Sequence, residues 1–192
     1  MSDAEAESMG YPLMIPIPYE FPLTLIAITI ICMECVVIGF AGTGPARKAA
    51  FNPEFMKQFQ SEHEAAFPGT EVSVGGFPDG GEGRYSKKLP YGDWVHFNNA
   101  VRVHKNFVEG LPLLISTLAI CGLLAPKGAV TVGFLIAIGR PIYTGMYLNK
   151  GANARIFGLL VGSLPVYMLI LWSLVEVIIL MVRRGRMEAD AA

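Results

Sequence analysis

The stretch Arg102-Val103-His104-Lys105-Asn106-Phe107-Val108-Glu109 carries a cation, an amide and a carboxylate at helical spacing. At 100° per residue, Arg102, Asn106 and Glu109 share about 60° of one helix face. Such a stripe can hold a polar ligand. The same groups can also act as a ladder that starts a helix at a membrane boundary, with the arginine stem lying along apolar surface. Further on, Arg140, Tyr143 and Tyr147 fall at i, i+3 and i+7, again on one face. An arginine inside an otherwise apolar helix is costly unless it pairs, and Glu109 on the preceding helix is the partner that chain order suggests. From the residues alone, an internal Arg–Glu clamp and a ligand site are equally good readings.

The elements that must position these groups are membrane helices. Of 192 residues, 53% are hydrophobic and 16% charged, and the mean hydropathy is +0.46. That is too apolar for an ordinary soluble domain of this size. A spanning helix needs about 20 mostly apolar residues, and four such runs occur, at about 22–42, 107–125, 129–148 and 156–182. The links after the second and third runs are short, which predicts an all-α integral membrane protein built as an up-down-up-down four-helix transmembrane bundle. The membrane domain covers 22–186, between an acidic, Pro-rich segment at 1–21 and a short tail at 187–192.

Residues 1–21 lack Lys and Arg, unlike a signal or transit peptide, so the first span is expected to be retained as an anchor. The long loop at 43–103 opens with an amphipathic pattern, NPEFMKQFQSEHEAAF, and continues through a Gly- and Pro-rich stretch from Pro68 to Tyr91. Arg47, Lys48, Arg102, Lys105, Lys150 and Arg155 lie on its side of the membrane, against Lys127, Arg183, Arg184 and Arg186 on the other, which tilts the loop towards the cytoplasm.

A net charge of -1 gives no basic excess for nucleic acid. The three cysteines, Cys32, Cys35 and Cys121, sit in apolar runs and exclude a secreted disulfide framework. Cys32-Met33-Glu34-Cys35 has no second ligand pair and reads as buried thiols rather than a metal centre. Glu34 and Glu176 are carboxylates within apolar helices and must face protein, a transport path or a subunit contact, or be protonated.

The pattern Arg-x-His-x-Asn-x-x-Glu-x-x-Pro from Arg102 to Pro112, an apolar helix, then Gly139-Arg140-x-x-Tyr143-x-x-x-Tyr147 and a basic residue opening the last helix resembles the MAPEG family. These are the membrane-associated proteins of eicosanoid and glutathione metabolism, microsomal glutathione transferases among them. HKNFVEGLPLL is similar to bacterial-type members, and ARKAAFNPE to the microsomal transferases.

The resemblance implies a homotrimer with glutathione as co-substrate, bound between subunits near the cytosolic face. It places Arg102, Asn106, Glu109, Arg140, Tyr143 and Tyr147 at glutathione-binding positions, and Arg155 where an arginine stabilises the glutathione thiolate. Arg47 is the equivalent of a further binding arginine after the first span, with Lys48 competing for that role. Glutathione carries two carboxylates and an amine, which suits two guanidinium groups and an acid. A fixed charge at Arg155 would lower a thiol pKa of about 8.5. Gly110, where many relatives carry a larger residue, implies a more open pocket wall.

Two functions follow. One is a membrane glutathione transferase or peroxidase that turns the thiolate on lipophilic electrophiles or hydroperoxides arriving from membrane lipid. The other is a non-catalytic accessory subunit docked to other membrane subunits. The membrane would be the endoplasmic reticulum or mitochondrial membrane in a eukaryote, or the inner membrane in a bacterium.

Overall fold

The computed structural model describes residues 17–154, 160 and 164–191. Among these residues the chain is helical, with no strand, and four helices are long and apolar enough to cross a membrane. The first, Phe21–Ala50, is continuous: α1 (Phe21–Ile38), a π-helical turn at Gly39–Thr43, and α2 (Gly44–Ala50). Pro45 cannot donate to the carbonyl one turn back, and the chain widens into the π turn immediately before it. Two short helices follow, α3 (Pro53–Met56) and α4 (Gln60–Ala66), and then the remaining long helices: α5 (Tyr91–Leu124), α6 (Pro126–Lys150) and α7 (Leu164–Ala191).

Helix α5 is the hub, packed on α1, α6 and α7, while α1 also packs on α6. Small residues let the backbones approach, as membrane helices require when lipid offers no hydrophobic drive between them. A Cβ on Gly122 of α5 would lie 2.9 Å from the Phe21 ring, and one on Gly133 of α6 would lie 3.0 Å from Ala27 Cβ. Trp172 of α7 fills the notch left by Gly128. Ile31, Leu114, Leu118, Ile136 and Leu169 form the buried centre, and Met168, Leu171, Val175 and Ile178 leave an apolar face of α7 exposed.

Both ends of the long loop differ from the sequence reading: the first helix runs on to Ala50 rather than ending near 42. Helix α5 starts at Tyr91 rather than near 107, so the long loop is shorter than 43–103. Pro90 precedes it, Asp93 sits favourably in its first turn, and Phe97, Ala100, Val103 and Phe107 bury one face. That early portion is amphipathic, so a search for lipid-spanning runs passes over it. Arg102, Asn106 and Glu109 consequently ride inside a long helix rather than at its start.

What lies between α2 and α5 is a packed cap. Phe51, Met56 and Phe59 cluster with Phe97, and Tyr85 packs against them. The Phe51–Phe97 and Phe59–Tyr85 rings meet edge-on at 5.0 and 4.7 Å, each pair contributing about 0.5–1.5 kcal/mol beyond its buried area. The expected amphipathic segment does form helices here: Asn52 caps α3 by accepting from Phe55 N–H, and Gln60 ties down Thr70 and Val72. Arg84 pairs with Glu62 across the cap.

The Gly-rich turn is organised around buried Asp79. Its carboxylate accepts from Ser86 Oγ at 2.6 Å, Ser86 N at 2.8 Å, Gly81 N at 2.8 Å and Gly83 N at 3.0 Å. Burial pushes this carboxyl upward, but those four donors outweigh it and hold the pKa below the ordinary aspartate value. Gly76, at φ +63°, lies against the Phe51 ring with no room for a Cβ.

Candidate functional site

Asn106 and Tyr143 join the two polar stripes. Asn106 Nδ2 on α5 donates to Tyr143 Oη on α6 at 3.3 Å. Tyr143 meets Tyr147 edge-on at 5.6 Å, and both rings pack on Val103, so the α6 tyrosines are buried against the face that α5 turns towards them. The i, i+3, i+7 spacing of Arg140, Tyr143 and Tyr147 places all three in the helix interface.

Arg140 is 7% exposed. Its guanidinium carbon sits 4.5 Å from the centroid of the Phe107 ring, a cation–π geometry strengthened by burial of the side chain. The Nε atom is buried without a hydrogen-bond partner among the described residues. A Cβ on Gly110 would lie 3.5 Å from Arg140 Nη2, so the glycine leaves the guanidinium its space beside the α5 backbone.

The expected Arg140–Glu109 clamp does not form among the described residues. Glu109 faces outward with its side chain 61% exposed, 3.9 Å from Lys105 one turn earlier. The reason is local: Phe107 and Gly110 face α6, whereas Arg102, Asn106 and Glu109 lie on an exposed strip of α5. Three of the predicted positions are thus brought into contact, Asn106 with Tyr143 and Tyr143 with Tyr147. Arg140 is buried beside them, and Arg102 and Glu109 remain open for a ligand or another chain.

Arg47 is elsewhere. Its Nη1 donates to Gly75 O at 3.0 Å and its Nη2 to Asp79 O at 2.6 Å, and the guanidinium stands 4.3 Å from the Phe77 ring centroid and 5.1 Å from that of Phe97. It fastens the cap to the end of the first helix, while neighbouring Lys48 is exposed. Arg155 lies outside the described residues. The sequence reading missed Phe107 and Asp79. The first could have been found as the residue three before Gly110 on the Arg140 side, the second from the Asp-Gly-Gly turn signal.

Fold and seam together define an all-helical, multi-pass integral membrane protein whose polar side chains gather where α5 meets α6. A model of the MAPEG family matches residues 21–175, which takes in the first three of those helices whole and part of the fourth, and the chain belongs to that family. No curated protein and no solved structure gives a match. Membership places the chain among proteins of eicosanoid and glutathione metabolism.

Proposed function

We propose that this protein is a membrane glutathione transferase or glutathione-dependent peroxidase. The observation that carries the reading is the Asn106–Tyr143 bond, which couples the Arg102, Asn106 and Glu109 strip to the Arg140, Tyr143 and Tyr147 face in a chain of this family. Arg102 and Arg140 would take the two glutathione carboxylates, and Glu109 the amine. Arg155 would hold the sulfur as thiolate, which then attacks an electrophilic carbon or a peroxide oxygen of a lipophilic substrate entering from the bilayer.

The open strip on α5 and the bare apolar faces of α1 and α7 suit a homotrimer in which a neighbouring subunit closes the site. Calorimetry on the purified protein in nanodiscs tests the assignment. Glutathione should bind the parent, and Arg102→Ala or Glu109→Gln should each weaken it about tenfold or more, the scale of a lost charge-assisted contact. Unchanged affinity in both variants would remove the site from this strip.

A further inference from the structure

A groove of about 540 Å³ runs between α1 and α6, within the roughly 300–1,000 Å³ range of small-molecule sites. Its walls are mostly apolar, with Ile30, Met33 and Val37 from α1 and Pro141 from α6; Thr144 of α6 adds a hydroxyl, and among the described residues Glu34 is the one ionisable side chain that lines it. Glu34 Oε2 is buried with no hydrogen-bond partner among the described residues. The contrast with Glu176 is instructive, since that carboxylate, also in an apolar helix, accepts from Trp172 Nε1 at 2.9 Å. Arg140 gives Glu34 no ion pair among the described residues; its guanidinium is stacked on Phe107 and does not line the groove.

A carboxylate among apolar walls is expensive unless something donates to it, and it can only accept. A hydroxyl would satisfy one lone pair and leave the charge in hydrocarbon. An ammonium supplies several donors and the opposing charge, and an alkyl tail suits the walls. We propose that the α1–α6 groove is a binding site for single-chain lipophilic amines, with Glu34 receiving the ammonium group. This does not depend on glutathione use.

The test uses the full-length protein in nanodiscs of zwitterionic lipid, without glutathione, and three probes of equal length: dodecylamine, dodecanol and dodecanoate. Dodecylamine should bind at least about tenfold tighter than the other two, and Glu34→Gln should bring it to the level of dodecanol. Gly145→Leu provides the second variant. A Cβ at Gly145 meets nothing within 4 Å, so this groove-lining position has room for a side chain to begin, and the added bulk should weaken all three probes. Equal binding of the three probes, or no binding by the parent, overturns the proposal, as does full amine affinity in either variant. The last of these results would mean that a second copy or lipid fills the groove, or that the amine sits elsewhere.

Discussion

Arg140 on α6 stacks its guanidinium on Phe107 of α5, 4.5 Å from the ring centroid, beside Gly110 one turn further along. Among the described residues, the most deeply placed cation of the seam is therefore positioned by an aromatic face and an absent side chain rather than by a carboxylate.

Substitutions at Gly110 should separate space from propensity. Gly110→Ala adds a Cβ at ordinary contact distance from Arg140 Nη2 and should raise stability by up to about 1 kcal/mol through helix propensity. Gly110→Leu pushes into the guanidinium and should destabilise by about 1–3 kcal/mol, as overpacking does. Thermal unfolding of the two variants checks the sign of each, and equal behaviour would show that Arg140 does not depend on this space.

Arg47 should matter to the cap. Arg47→Ala removes both donors to Gly75 and Asp79 and the stack on Phe77, and should speed limited proteolysis between Asn52 and Pro90. Arg47→Lys, a point charge without the planar fork, should rescue this only in part. Glutathione affinity should change less than about twofold, well under the roughly tenfold that one lost charge-assisted contact would bring. A large loss of affinity with an intact cap would return Arg47 to the ligand site.

The four transmembrane helices were legible because lipid demands long apolar runs, and the Arg140, Tyr143 and Tyr147 face was legible because helical spacing is strict. Two things were not. The early turns of α5 carry Phe97, Ala100 and Val103 against protein rather than lipid, so their pattern resembles a soluble helix placed in a loop. Arg47 is held by carbonyls 28 and 32 residues further along the chain, a closure that no local pattern encodes. The Arg140–Glu109 pairing failed for a third reason: charge alone suggested it, while packing around Phe107 and Gly110 decided the outcome.

Asp79 gives the cap an acid limit. Its pKa is held below the unfolded value of about 3.9, so its contribution is complete above that value and is lost as pH falls through the lower, folded one. Hydrogen exchange of the Gly81, Gly83 and Ser86 amides should stay slow from neutral pH to about pH 5, once intrinsic exchange rates are divided out, and lose protection below about pH 4. Asp79→Ala, which strands those donors, should cost about 1–3 kcal/mol at neutral pH. Protection that persists unchanged to pH 2 would show that the carboxylate is not what orders the turn.

Stopped-flow absorbance in the thiolate band, with purified protein mixed with glutathione, tests the glutathione reading most directly. A saturable rise is expected in the parent protein as the bound thiol ionises. In Arg155→Ala the amplitude should fall severalfold while calorimetric affinity changes much less, because a fixed charge beside the sulfur acts on the thiol pKa rather than on the carboxylate contacts. No thiolate signal in the parent, together with no heat of glutathione binding, would contradict the assignment.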